Sequence, residues 1–243
     1  MTGTYRFAGR IVEISSLYER VHEYCADYRT EGTPDFTVTI TQEDIGFERE
    51  RNARTAELEG RKPYNSPDDY LEELAVYRKI SEQMPFYDTF LFHGSCVAVD
   101  GEAYLFTAKS GTGKSTHTRL WREYLGDKAV MVNDDKPLIT VTDGGVVIHG
   151  TPYNGKHRLG CDISVPLKAV CILERAERNT IRSISKAEAY PMLIQQAYRP
   201  IDGAALAATL PLIDKMAGTV ALYKLGCNME AQAAKVAYEG MKG

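Results

Sequence analysis

The sequence predicts an α/β fold, in which a mixed β-sheet flanked by helices spans residues 89–243 and a small α/β region occupies residues 1–88. Short apolar runs alternate with longer helical patterns in the second part of the chain, which is typical of strands and helices in turn. Turn pairs such as Asp100-Gly101 indicate hairpins, and hairpins make a sheet mixed rather than purely parallel. A chain of 243 residues, 44% of them hydrophobic, is long enough to bury a large core.

The N-terminal region is predicted to contain two strands and two helices. Residues 5–14 and 35–40 have strand character, and residues 16–28 favour a helix. A second helix is expected over residues 66–84, because Ser-Pro-Asp-Asp at its start combines a capping hydroxyl, a first-turn proline and two acids. The charged residues 48–54 are interpreted as a solvated face or loop, with a recognition tail as the alternative.

The C-terminal region alternates more regularly. We predict strands at residues 96–99, 103–107, 129–132, 138–142, 146–149, 168–173 and 220–225. We predict helices at residues 115–125, 186–198 and 202–217, and a last helix capped by Asn228. Gly126 is expected to stop the first of these helices, and Pro211 to kink or split the third.

Composition excludes several classes of protein. The 29 basic and 33 acidic residues give a net charge of -4, which argues against broad nucleic-acid binding. No run of eighteen apolar residues occurs, so we expect no membrane span and a cytoplasmic protein. The five cysteines are odd in number and are predicted to be reduced thiols. The sequence leaves open whether the chain forms a homo-oligomer.

Residues 108–115 read AKSGTGKS, a phosphate-binding loop (P-loop) with alanine in place of the usual first glycine. The loop follows a predicted strand and opens a predicted helix, as binding of phosphate by backbone N–H groups requires. We predict that Lys114 contacts the β- and γ-phosphates of ATP, that Ser115 binds Mg²⁺ and that Thr116 adds a phosphate contact. The predicted nucleotide-binding residues are Ser110, Gly111, Thr112, Gly113, Lys114, Ser115 and Thr116. The alternative is a glycine-rich turn before an ordinary helix.

Two acids, Asp134 and Asp135, follow the predicted strand at residues 129–132. A right-handed strand–helix–strand crossover brings the carboxyl ends of both strands to one sheet edge, so the acids are expected to face the phosphates. One carboxylate near Mg²⁺ can hold the ion, and the other can accept a proton from an attacking hydroxyl. The alternative is a surface turn, which Asn-Asp-Asp-Lys-Pro also favours.

These motifs, together with Leu-Phe-His-Gly at residues 91–94, resemble the catalytic domain of HPr serine kinase/phosphorylase and its relatives. The loop is also similar to that of ATP-dependent phosphoenolpyruvate carboxykinase. The resemblance implies ATP, Mg²⁺ and phosphoryl transfer to a hydroxyl. It further implies an active-site role for His93 beside the acids, and it favours Asp134 as the base and Asp135 as the metal-side acid. Without the resemblance, a single histidine before glycine is more often structural.

Residues 149–158 resemble a segment of uncharacterised proteins related to these kinases. Its cations, Lys156 and Arg158, are predicted to neutralise charge on the transferred phosphoryl group. Gly150, Gly155 and Gly160 are interpreted as giving the loop the mobility to close over ATP. The alternative is a surface connector with solvated charges.

The sequence therefore predicts an ATP- and Mg²⁺-dependent kinase acting on a hydroxyl of a small metabolite or of a peptide or protein serine. A lyase resembling the carboxykinase is one alternative. An ATP-binding regulatory switch without phosphoryl transfer is the other.

Overall fold

The computed structural model describes residues 1–155 and 158–243, and it divides into two compact units, residues 1–83 and residues 84–243. The first unit contains a small sheet and helices. Its elements are β1 (Thr2–Phe7), β2 (Arg10–Ser15), α1 (Arg20–Tyr24), β3 (Phe36–Thr39), α2 (Gln42–Leu58) and α3 (Asp68–Gln83). The sheet order is β1-β2-β3, in which β1 pairs with β2 antiparallel and β2 with β3 parallel.

The single strand predicted over residues 5–14 is wrong, because β1 and β2 form a hairpin. The two residues between them, Ala8 and Gly9, have φ of 49° and 78°, the left-handed conformation of a tight hairpin turn. The helix predicted over residues 16–28 is also shorter than expected. It consists of α1 and a turn of 3₁₀-helix, Ala26–Tyr28.

The charged residues 48–54 lie within α2 and not in a loop, and Arg49, Glu50, Arg51 and Arg54 are exposed, which agrees with the solvated-face interpretation. The helix begins with a capping box, in which the backbone N–H of Thr41 donates to Asp44 at 3.0 Å. Glu48 is only 2% exposed and accepts a hydrogen bond from Arg78 at 2.6 Å. Arg78, thirty positions away on α3, thus offsets the cost of burying the Glu48 carboxylate. This pair allows part of the polar face of α2 to lie inward.

The second unit carries a larger sheet. Its strands are β4 (Thr89–Leu91), β5 (Ser95–Val99), β6 (Glu102–Thr107), β7 (Ala129–Asn133), β8 (Leu138–Thr142), β9 (Gly145–His149), β10 (Ser164–Arg175), β11 (Thr180–Ser183) and β12 (Ala221–Cys227). Its helices are α4 (Lys114–Leu125), α5 (Lys186–Gln196), α6 (Gly203–Thr219) and α7 (Gln232–Met241). The strands run in the order β4-β8-β9-β10-β6-β5-β7, with β12 also on β10 and β11 on β12.

The sheet is mixed and curled because the long strand β10 joins two sets of strands. Its first residues pair antiparallel with β9, while its remainder pairs in parallel with β6 and β12. Both faces of the sheet are covered. Cys96 and Ala98 belong to the apolar cluster that includes residues of α5 and α6, and Val97 and Val99 to the cluster that includes residues of α4 and α7. The predicted α/β class with a mixed sheet between helices is confirmed.

Several boundaries differ from the prediction. The short strands β4 and β11 were not predicted, and β10 extends beyond residues 168–173 at both ends. Helix α6 continues through Pro211, so the predicted split does not occur. The N-cap of α7 is Ala231, and the predicted cap, Asn228, instead accepts a hydrogen bond from the N–H of Glu230 at 3.1 Å in the preceding turn.

The five cysteines are free thiols, as predicted. Across residues 1–155 and 158–243, none of the helices combines the length and apolar character needed to cross a bilayer.

Candidate functional site

The glycine-rich loop, defined here as residues 108–113, connects the end of β6 to the start of α4. Gly111 and Gly113 have φ of 75° and 119°, a region that side chains with a Cβ rarely adopt. The guanidinium of Arg175, at the end of β10, donates to the carbonyl of Gly111 at 2.6 Å. The loop is therefore shaped by its glycines and tied to the neighbouring strand.

Lys114 is the first residue of α4, and its side chain folds back over the loop. It is 9% exposed, and its Nζ donates to the carbonyl of Ala108 at 3.2 Å. Burial lowers the pKa of Lys114, and the charge of Asp135 opposes that shift. The Lys114 ammonium has a neutral carbonyl as its hydrogen-bond partner, so a nearby anion such as a phosphate would stabilise its charge. Ser115 next to it is exposed, and Thr116 is half-buried.

Helix α4 is fixed to the sheet by a buried polar and aromatic cluster. The Nε1–H of Trp121 donates to Nε2 of His117 at 3.1 Å, and both rings pack edge-on against Phe106. Burial lowers the pKa of His117 to about 4, so the ring is neutral. Thr118 and Ser95 share a hydroxyl hydrogen bond of 2.9 Å. These contacts fix the first turn of the helix relative to the loop.

The acids lie in a turn directly after β7, because the strand ends at Asn133. The alternation of side-chain direction along a strand therefore does not extend to the two acids. Oδ1 of Asn133 accepts hydrogen bonds from the backbone N–H groups of Asp135 at 2.8 Å and Lys136 at 2.6 Å. Its Nδ2 donates to the hydroxyl of Thr151 at 3.0 Å. Asn133 is fully buried and holds the acidic turn in place.

The two acids have different surroundings. Asp134 is 5% exposed, and its Oδ1 accepts a hydrogen bond from the N–H of Gly155 at 2.6 Å. Asp135 lies 3.3 Å from Nε2 of His93 and 3.3 Å from Nζ of Lys136. Burial would raise the pKa of Asp135, but the hydrogen bond from His93 and the charge of Lys136 outweigh it and hold the pKa below its usual value. Asp135 is therefore ionised at neutral pH.

His93 is held by its backbone between the sheet and α5. Its N–H donates to the carbonyl of Gln196 at 2.8 Å. Its carbonyl accepts from the hydroxyl of Thr107 at 3.0 Å. The two bonds fix the backbone on both sides of the residue, while the imidazole itself stays partly exposed.

Gly94 completes the attachment of this segment to the acidic turn. Its N–H donates to the carbonyl of Asp135 at 2.9 Å. A Cβ on Gly94 would lie 2.7 Å from Cδ1 of Leu105 and 3.0 Å from the carbonyl oxygen of Phe106, so the close approach to β6 favours glycine there. The His-Gly pair thus places the imidazole beside the acidic turn.

A cleft of about 710 Å³ brings the loop, the acids and the histidine together within the second unit. Its lining residues are His93, Ser110, Gly111, Gly113, Lys114, Ser115, Thr116, Thr118, Arg119, Arg122, Asp134, Asp135 and Leu159. Strands β6 and β7 are both antiparallel to β5, which lies between them, so the loop and the acidic turn leave the sheet at the same edge.

A second cavity, of about 540 Å³, lies on the β10 side of the loop. Thr112, one of the predicted nucleotide-binding residues, lines this cavity and not the cleft beside the acids. Lys109 lines it too, and apolar side chains of Ile172, Ile184 and Met192 form part of its wall. The glycine-rich loop therefore lies between two spaces, the cleft that contains the two acids and a cavity whose wall is partly apolar and partly charged.

The segment predicted to carry cations is only partly described. Lys156 and His157 lie outside the described residues. Arg158 is exposed and has a φ of 47°, and the cleft is lined by its neighbour Leu159.

The glycines of this segment lie in tight spaces, which is a reason for glycine there that the sequence did not reveal. A Cβ on Gly150 would lie 1.8 Å from the carbonyl oxygen of Cys161, and one on Gly160 would lie 2.2 Å from Oδ1 of Asn154. A Cβ on Gly155 would lie 3.0 Å from Oδ2 of Asp134. Close approach to backbone carbonyls explains glycine at position 150, and side chains of the site crowd the other two positions.

Sequence reasoning missed several residues around the cleft. Asn133 and Thr151 hold the acidic turn, and Lys136 pairs with Asp135. The asparagine before two acids was a usable signal, because asparagine side chains commonly close such turns. Arg119 and Arg122 line the cleft from α4, and their helical spacing from Ser115 was the only available sign.

The second unit thus has an α/β fold with a glycine-rich loop and an acidic turn at one edge of a mixed sheet. A family model described as SynChlorMet cassette protein ScmC matches residues 71–227, so the chain belongs to the ScmC family. Among solved structures, the HPr(Ser) kinase/phosphatase from Coxiella burnetii is similar at 10% sequence identity and a TM-score of 0.34, over 63% of this chain and 99% of that chain. The comparison with curated proteins gave no match.

Proposed function

We propose that this chain is an ATP- and Mg²⁺-dependent kinase that transfers the γ-phosphoryl group to a hydroxyl of a small metabolite or of a peptide or protein serine. The observation that supports it is the cleft in which Lys114 and the glycine-rich loop face Asp134, Asp135 and His93. A phosphate site beside two carboxylates is what phosphoryl transfer to a hydroxyl needs.

In this proposal the loop acts as a P-loop. Its backbone N–H groups and Lys114 hold the β- and γ-phosphates, while Thr116 contacts a further phosphate oxygen. The cavity on the β10 side of the loop takes the nucleoside, since Lys109 and Thr112 link that cavity to the loop and apolar side chains form part of its wall. The acceptor then approaches from the side of the acids.

The residues present fit Mg²⁺. Among the residues that the structure describes, no three His, Cys, Asp or Glu side chains could together hold a metal ion. Mg²⁺ does not require such a cage, because it commonly binds one or two protein ligands together with phosphate oxygens and water. Ser115 is exposed and Asp135 is ionised, so these two would hold the ion, which when bound neutralises charge on the phosphates.

Asp134 is proposed as the base. Its carboxylate accepts the proton of the acceptor hydroxyl while the hydroxyl oxygen bonds to the γ-phosphorus. The bond between that phosphorus and the bridging oxygen breaks, and ADP leaves. His93 keeps Asp135 oriented through the 3.3 Å contact, and Lys156 and Arg158 are proposed to stabilise charge on the transferred group.

The experiment is a transfer assay with γ-labelled ATP, Mg²⁺ and a panel of hydroxyl metabolites and serine peptides. The proposal expects a labelled product from the parental chain and from Arg178→Gln, a control at an exposed position away from the cleft. It expects the labelled product to fall by about 10²- to 10⁴-fold in Asp134→Asn. ATP binding without a labelled product from any acceptor would support the regulatory switch instead.

A further inference from the structure

We propose that Arg119 and Arg122 form an anion-binding subsite for the acceptor, which would therefore carry a phosphate or carboxylate group in addition to its hydroxyl. Identifying the bound anion as the phosphoryl acceptor rests on the proposed function, whereas the anion site itself does not. Both arginines line the cleft from α4, and no step of the proposed transfer uses either of them.

The subsite lies along one face of α4. Ser115, Arg119 and Arg122 are spaced i, i+4 and i+7, so their side chains form a stripe on one face of the helix. At about 1.5 Å of rise per residue, Arg122 lies roughly 10 Å along the helix axis from Ser115. A phosphate held by the loop and a second anion held by Arg122 would thus be separate groups.

Among the described residues, none accepts a hydrogen bond from the guanidinium of Arg122. Within the described part of the chain its guanidinium makes no hydrogen bond or ion pair, and its Nε is buried without a partner. A buried donor without an acceptor is costly, and a guanidinium satisfies carboxylate or phosphate oxygens well. Arg119 pairs only with Glu123 among the described residues, a contact in which both side chains are about half exposed. Such a surface pair is weak and can be exchanged for a ligand.

Charge balance in the cleft also points to an anionic ligand. Asp134 and Asp135 would repel an anionic acceptor from the wall where its hydroxyl must be activated. The two arginines that line the same cleft offset that repulsion and would hold the anionic group of the acceptor. A neutral acceptor would need neither cation.

The strand order separates this wall from the proposed nucleoside cavity. The arginines share the cleft with the acidic turn after β7, whereas the second cavity lies near the end of β10. Because β6 and its loop stand between β5 and β10, the two spaces extend from the loop in opposite directions. ATP can thus occupy the loop and the cavity while the arginines stay available.

The test measures anion binding directly, using inorganic phosphate and malonate as probes. Titrations are done on the full chain carrying Lys114→Ala, which removes the cation at the loop. We expect saturable binding of at least one probe in this background, and the comparison of the two probes separates phosphate from carboxylate preference. Adding Arg122→Gln should weaken binding by about 10- to 150-fold, the loss expected for charge-assisted hydrogen bonds. Arg119→Gln should weaken it less, and Arg178→Gln should leave it unchanged.

Two further measurements keep the outcome clear. The fluorescence of Trp121, the one tryptophan of the sequence, reports whether each variant is folded, and Arg122→Lys should restore part of the affinity if the charge matters. The inference is overturned if neither probe binds saturably, or if Arg122→Gln binds as tightly as Arg178→Gln. It is also overturned if Arg122→Gln weakens ATP binding and leaves the anion probes unaffected, because the arginine would then serve the nucleotide.

The transfer assay separates this inference from the proposed function. Arg122-dependent anion binding in a chain that transfers no phosphoryl group would refute the kinase and leave the anion site standing. Transfer that is indifferent to Arg122, with no anion binding, would refute the subsite and leave the kinase standing.

Discussion

Replacing Asn133 by alanine removes the side chain that closes the acidic turn. In the folded chain its carbonyl oxygen accepts from two backbone N–H groups, at 2.8 and 2.6 Å, and its amide donates to the backbone carbonyl and hydroxyl of Thr151, at 3.2 and 3.0 Å. At about 1 kcal/mol for each bond, with some loss recovered by water entering the turn, we expect the free energy of unfolding of the second unit to fall by about 2–4 kcal/mol.

The assay is urea unfolding followed by the fluorescence of Trp121, which is fully buried within the second unit and reports on that unit alone. Asn179→Ala is the matched control, because Asn179 also bonds a backbone N–H, that of Asn228 at 2.9 Å, but is only half-buried and lies away from the acids. Asn179 also donates to Oδ1 of Asn228 at 3.0 Å, so its replacement should cost about 1–2 kcal/mol. A change of less than about 0.5 kcal/mol for Asn133→Ala would refute the view that this side chain holds the turn.

Four further predictions concern the cleft and its surroundings. Lys114→Ala should reduce transfer by about 10²-fold or more without lowering the unfolding midpoint, as checked by the transfer assay and by Trp121 fluorescence. Asp134→Asn should cut transfer by about 10²- to 10⁴-fold with ATP still bound, whereas Asp135→Asn should mainly raise the Mg²⁺ concentration needed, as a metal titration would show. Lys156→Ala and Arg158→Ala should each slow transfer by about 10²- to 10³-fold while the dissociation constant of ATP barely changes, and parental rates in both would make the segment a connector. Burial lowers the pKa of His117 and of His149 to about 4 from 6.5, so both are neutral when folded and take up a proton on unfolding below pH 6.5. Stability of the second unit should therefore fall by about 1.4 kcal/mol per pH unit for each histidine between roughly pH 6 and pH 4.5, and His149→Gln should make that slope shallower in urea titrations.

Local patterns were enough to predict the parts of the site that lie close together in sequence. The strand, loop and helix around Lys114 follow one another between Glu102 and Leu125, and each has a strong periodic or turn signal. The crossover rule predicts that β6 and β7 run in the same direction, so the acids after β7 lie at the same sheet edge as the glycine-rich loop after β6. These features needed no knowledge of distant contacts.

The missed features depend on contacts between distant residues or on unusual backbone conformations. The hairpin at Ala8 was hidden because alanine rarely has a positive φ, and no Asn-Gly pair marks the turn. Glu48 is buried only because Arg78 pairs with it from another helix. The face of α4 that lines the cleft depends on how Trp121 packs on the sheet, so the sequence alone could not assign Arg122 to the cleft.

The acidic turn and the segment after β9 are connected by hydrogen bonds on both sides. Thr151 contacts Asn133 before the acids and Lys136 after them, and the N–H of Gly155 donates to Asp134 itself. A displacement of this segment would therefore change the orientation of the proposed base, because the 2.6 Å bond to Asp134 is among the shortest in the site. It follows that a substitution here which alters acceptor preference should also alter the rate of the chemical step. Acceptor binding and the orientation of the proposed base both depend on the carboxylate of Asp134. The changes in acceptor preference and in rate should therefore appear together, in the KM for the acceptor and in kcat.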